Sequence, residues 1–253
     1  EFLMNCMQNA NNNPFIEETK ELLHEIVFLP NFKGNLPSIF ESLLSFDNIP
    51  SLCLAKDILK KHVSVEFAQH YLPQIIALAE IYAKNECFDT PSDAEKTQED
   101  VHASTYLLPL TIQMIVILID KLKGEAIPFL HHLFEMMQFT YDTYKHPEAL
   151  LAICSIASIT NQNVLNAVNL VITELNNSIL SEDATTEVEL PSYEMRLAAI
   201  SSITLYLSKC KSVKDNFHEL MRILLRLLES QQENSNVKIL DSGLKIEVIE
   251  ALN

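Results

Sequence analysis

The densest grouping of side chains able to bind a metal or move a proton is His131-His132 with Glu125 and Glu135. His131 and Glu135 stand four residues apart and share a helix face, whereas adjacent histidines point about 100° apart around a helix axis. A zinc site needs at least three protein ligands, and the run His-His-Leu-Phe-Glu does not supply the HExxH arrangement that brings two histidines together. This cluster therefore predicts a solvated helix face. The remaining histidines, His24, His62, His70, His102, His146 and His218, are scattered along the chain. With 3 Gly in 253 residues there is no phosphate loop, dinucleotide fingerprint or nucleophile elbow. Acidic residues do not follow the spacing of a calcium-binding loop. Carboxylates in flexible polar runs are poorly placed for pKa tuning by burial. The sequence thus predicts no catalytic residue, no cofactor, no metal and no small-molecule substrate.

The 5 cysteines, Cys6, Cys53, Cys87, Cys154 and Cys210, are odd in number and far apart, without a CxxC pair. Cys53, Cys154 and Cys210 fall in helical patterns, where a free Cys acts as a small hydrophobe. This usage predicts a reducing compartment, cytoplasm or nucleus.

Charge narrows the partners. There are 34 acidic residues against 18 basic ones, for a net charge of -16. Nucleic acid would require a Lys/Arg stripe to neutralise phosphates, and an anionic membrane face would require the same sign. A basic protein partner fits the balance, and solubility alone explains it equally well. The excess is concentrated. Residues 85–100 hold six acidic side chains against Lys96, and 182–189 hold four acidic side chains and no basic one. Glu95, Glu99, Asp100, Glu182 and Asp183 are the candidate contacts for a basic partner. The two runs are expected to form long mobile loops, 85–100 and 182–191.

No secretory leader is visible at the N-terminus. The longest uncharged apolar run, 103–119, is shorter than the roughly 20 apolar residues of a membrane span. It contains Pro109, Thr111 and Gln113 and reads as a buried core helix, so membrane insertion is not expected. The chain opens Glu1-Phe2 without Met and stops at Asn253 inside an apolar periodic run, as a piece of a longer protein would.

Apolar residues make up 48% of the chain, enough for a core, so disorder over the whole length is excluded. They recur at helical spacing nearly everywhere, as in Val213, Phe217, Leu220, Leu224 and Leu227. Sustained two-residue alternation and hairpin turn pairs are absent. The reading is all-α, with helices over 2–10, 15–29, 36–46, 50–62, 65–84, 101–123, 125–145, 147–160, 163–181, 192–208, 213–230 and 236–252. Prolines punctuate them, and Pro37, Pro73, Pro109 and Pro128 fall near starts or inside. Leu36-Pro37, Leu72-Pro73 and Leu108-Pro109 recur every 36 residues, and 195–200 resembles 237–240, with looser versions at 52–55 and 149–152. Helix pairs repeating at about 40 residues must stack to bury their apolar faces.

Residues 36–59, LPSIFESLLSFDNIPSLCLAKDIL, resemble a HEAT repeat. Pro37 stands near the first helix start, Asp47 lies in the turn, and Leu52, Ala55, Ile58 and Leu59 pack the second helix. YEMRLAAISSITLYL (193–207) resembles a HEAT second helix, with Ala199 at the small position. Residues 216–231 and 237–252 look like one more repeat. Armadillo-type repeats or another α-α superhelix would share these features. The resemblance runs from about residue 15 onward and implies a right-handed superhelix of about five to six helix pairs, with 1–253 forming a single domain. Second helices of such proteins often line the concave surface, which makes Lys56, Lys60 and Arg196 candidate partner contacts. The aromatic and Met residues of 129–144 are expected mainly in core and repeat interface.

The function expected from that resemblance is a non-enzymatic scaffold that binds a protein or peptide within a larger assembly. Importin-β-like receptors, which grip basic cargo and the GTPase Ran, are one alternative. A TOG-like tubulin-binding domain is another, disfavoured because this chain has no Trp and its long loops are acidic.

Overall fold

The computed structural model describes residues 2–9, 14–29, 35–88, 98–162, 164–179, 192–209 and 218–225. All regular structure among them is helical. The helices are α1 (Phe2–Gln8), α2 (Ile16–Val27), α3 (Leu36–Ser45), α4 (Ile49–His62), α5 (Val65–Phe88), α6 (Gln98–Leu122), α7 (Ile127–Tyr144), α8 (Pro147–Thr160), α9 (Val164–Ile179) and α10 (Tyr193–Lys209). A 3-10 turn, Lys123–Ala126, precedes α7, and residues 218–225 are helical. The chain divides into two compact units, Glu1–Leu122 and Lys123–Asn253.

Local chemistry sets the helix ends. Asn35 Oδ1 accepts from the Ser38 N–H (3.4 Å) and Asn48 Oδ1 from the Ser51 N–H (2.9 Å), capping α3 and α4, where Pro37 and Pro50 occupy the first turns. Ser64 and Ser192 cap α5 and α10 in the same way. Asn48 also donates through Nδ2 to the Met7 carbonyl (3.0 Å), joining α1 to the α3–α4 turn. With few glycines available, Lys145 (φ 54°) and Asn161 (φ 51°) take the left-handed positions that end α7 and α8. Lys145 gains a contact there, its Nζ lying 4.2 Å from the Tyr141 ring centre.

In the first unit, α4 packs on α1, α2, α3 and α6, and α5 packs most extensively on α6. The even helices α2, α4 and α6 thus form one layer. On the other side, Phe40 of α3 meets Phe67 and Tyr71 of α5, with ring centres 5.1 and 4.8 Å away. The Tyr71 hydroxyl donates to Glu41 (3.0 Å), and Tyr82 of α5 donates to Asp47 in the α3–α4 turn. Asp47 stands in that turn, as the repeat resemblance places it.

The second unit repeats the scheme. α8 packs on α7, α9 and α10, and α9 packs on α10. Residues 149–158 of α8 are buried except Leu151. Across the other layer, Tyr141 of α7 donates to Glu174 of α9.

Two expectations about element ends are corrected. The 85–100 loop is shorter at both ends, because α5 continues to Phe88 and α6 begins at Gln98. Glu and Gln are good helix formers, so polar turns extend both helices beyond their apolar pattern. The Leu-Pro recurrence falls at different depths, as the helices read over 36–46, 65–84 and 101–123 place it. Pro37 opens α3, while Pro73 and Pro109 lie inside α5 and α6. A proline there forgoes one N–H bond. Near Pro109, the Thr111 hydroxyl donates to the Leu107 and Leu108 carbonyls on its N-terminal side (3.2 and 2.7 Å). The start of the 125–145 helix is a 3-10 turn through Ala126. The 182–191 segment, most of 213–230 and the whole of 236–252 lie outside the described residues.

Candidate functional site

α2 is amphipathic. Thr19, Leu23 and Val27 face the core at helical spacing. Its outward flank is not polar throughout. Phe15 at the N-cap, Leu22 in the middle and Leu29 just past the end are 65%, 47% and 56% exposed. They recur every seven residues, with Glu18 and Glu25 interspersed.

Beside this stripe, α2 and α4 enclose an open cleft of about 320 Å³ lined by Lys20, Glu21, His24, Glu25, Leu54 and Asp57. Leu54 is buried and forms an apolar floor. Glu21 and Glu25 are successive turns of α2, and Asp57 is on the α4 wall. None of these three carboxylates forms a hydrogen bond or ion pair among the described residues, although Glu21 feels the field of Lys20. The basic side chains beside them are engaged. Lys20 pairs with Glu17, and that bond raises its pKa. The His24 ring lies 4.2 Å from Phe28, which stacks on His62 at 5.0 Å, while Lys61 Nζ sits 4.0 Å from the Phe28 ring centre. These rings tie the ends of α2 and α4 together. Cys53 is half-buried on α4, and desolvation raises its pKa more than Lys56 and Lys20 lower it.

The residues singled out from sequence are distributed. Lys56 and Lys60 are both on α4. Lys56 Nζ donates to Gln113 Oε1 of α6 (2.9 Å), so it links two helices within the layer; Lys60 is exposed in the last turn. Arg196 is half-exposed on α10 and belongs to the second unit. Glu99 and Asp100 fall in the first turn of α6, and Glu95, Glu182 and Asp183 lie outside the described residues. His131 is 86% exposed, with Nε2 3.5 Å from Glu135 Oε1, and His132 and Glu125 are exposed. No group of three or more metal-ligating side chains occurs among the described residues. On α7, Met137 and Tyr141 are buried, Phe129, Phe134, Met136 and Tyr144 are half-exposed, and Phe139 is exposed. The 103–119 run lies in α6 with most of its apolar side chains buried, and no described helix is long and apolar enough to cross a membrane.

The cleft itself escaped the sequence reading. Glu21 and Glu25 at i,i+4 were a signal on α2, but their approach to Asp57 depends on how α2 meets α4. The buried hydroxyls escaped too. Burial and the Glu41 bond push Tyr71 up to about 12, and burial with a carboxylate partner raises Tyr82 and Tyr141 further. Burial holds the Cys154 thiol up at about 11 against the lowering effect of Tyr206 and Ser202. These groups stay protonated at neutral pH and act as structural donors and packing rather than as nucleophiles.

No protein-family model matches the chain, and no curated protein or solved structure shows significant similarity to it.

Proposed function

We propose that this protein is a non-enzymatic interaction scaffold, a HEAT-like stack of helix pairs that binds a protein partner or peptide as part of a larger assembly. The observation that carries the reading is the layering of helices within each unit. Even helices pack on even helices, and tyrosine–carboxylate bonds join the odd ones about one repeat apart in sequence. Stacked pairs of this kind present extended surfaces on rigid elements, which suit recognition of helices and peptides. Exposed apolar side chains on α2 and α7 and an open charged cleft add features that a partner can use. Cys6, Cys53 and Cys154 are free thiols, which fits a reducing compartment such as cytoplasm or nucleus. The unpaired carboxylates of the α2–α4 cleft favour a basic partner, in keeping with the transport-receptor alternative.

Affinity capture from cell lysate, washed at low and at high salt, tests this. The expected result is one stoichiometric protein partner. Absence of any such partner at both salt concentrations would sink the proposal.

A further inference from the structure

We propose that the outward face of α2, together with the α2–α4 cleft, docks a basic amphipathic helix of a partner protein. This rests on the scaffold reading above and names where and by what chemistry the partner is held. Two adjacent strips make up the surface. Phe15, Leu22 and Leu29 supply an apolar stripe at seven-residue spacing, the spacing at which one helix lies along another. Glu25 stands next to it on α2, between stripe and cleft, and Glu21, Glu25 and, on α4, Asp57 line the cleft.

Charge complementarity selects the occupant. Three carboxylates without an ion-pair partner surround an apolar floor at Leu54, while the neighbouring Lys20 is held by Glu17 and His24 by Phe28. A Lys or Arg stem fits such a place, its methylenes on Leu54 and its cation among the carboxylates. An acidic or neutral helix would leave those carboxylates unneutralised. A second copy of this chain would bring the same acidic face and meet like-charge repulsion.

The test uses the full chain and a fluorescein-labelled helical peptide of Leu, Lys and Ala, about 18 residues long so that a helix can form. Leu occupies heptad positions and Lys one flank. Control peptides carry Glu for Lys, or Ser for Leu. Three variants are compared: Glu21→Gln with Glu25→Gln and Asp57→Asn; Leu22→Ser; and Asp142→Asn with Glu194→Gln, both exposed, as an acidic control elsewhere. The first two variants replace exposed or half-exposed side chains, and circular dichroism melting verifies the fold of all three. The Leu/Lys peptide should bind about tenfold to a hundredfold more weakly to the triple variant and severalfold more weakly to Leu22→Ser. It should bind the acidic control like the parent, and neither control peptide should bind comparably. Equal binding to parent and triple variant, loss in the acidic control alone, or no binding of the peptide would overturn the assignment. So would concentration-dependent self-association abolished by Leu22→Ser. Capture of the same stoichiometric lysate partner by parent and triple variant would also overturn it, while leaving the scaffold reading intact.

Discussion

The two units join their helix pairs with the same chemistry at different depths. In the first, Tyr71 and Tyr82 of α5 reach back to Glu41 and Asp47, both exposed. In the second, Tyr141 of α7 reaches forward to Glu174, which is only 8% exposed. A carboxylate at the surface regains water when its tyrosine is removed. A buried one does not, and its desolvation is no longer offset by that donor. The comparison teaches that the shared motif is a surface clasp in one unit and part of the core in the other. It also separates structural ionisable groups from available ones, since the α2–α4 carboxylates carry no such donor.

The largest effect should come from the core. Ile153 is fully buried on α8, the helix against which α7, α9 and α10 all pack. Ile153→Ala should cost about 2–5 kcal/mol in urea denaturation, and a loss below 1 kcal/mol would remove α8 from the centre of its unit.

Next come the tyrosines. Tyr141→Phe should cost about 1–3 kcal/mol, whereas Tyr82→Phe and Tyr71→Phe should each cost about 0.5–1.5 kcal/mol. Equal costs would break the distinction between buried and exposed carboxylates.

Alkaline pH sharpens it further. The ordinary tyrosine value is 10.0, and all three native values are raised, that of Tyr71 to about 12. The unfolded chain therefore releases these protons first as pH rises, which favours unfolding. Their stabilisation is fully present below about pH 10 and is lost as pH climbs toward the raised native values. The urea midpoint should fall above pH 10, and less steeply in Tyr141→Phe; an unchanged slope would contradict the role of Tyr141. The smallest effect is expected at the exposed His131, where His131→Gln should change stability by less than about 0.5 kcal/mol. A larger loss would mean that its face is packed.

Much of the helical content was legible because Leu, Ile and Val recur with the helix period. The ends of α8, Pro147 and Thr160, follow directly from the sequence, since Pro147 and a continuous apolar run bound it clearly. The outer turns of α5 and α6 were less legible, because Glu86, Gln98 and Glu99 carry helix propensity without apolar periodicity. The Leu-Pro recurrence by itself does not mark helix starts. Residue identity repeats at 36, but helix length differs, so the same dipeptide lands at different depths. Asp47 was placed in its turn, yet its partner Tyr82 is 35 residues away and only packing brings them together. The cleft was illegible on the same ground: its charges belong to two helices whose contact is tertiary.

Hydrogen–deuterium exchange of the chain, alone and with its captured protein, tests binding on the helix stack most directly. A partner held on the outward α2 face should slow exchange chiefly over residues 16–27 and 49–62. Slowing confined to other parts of the chain, or no change on saturation with the captured protein, would contradict it.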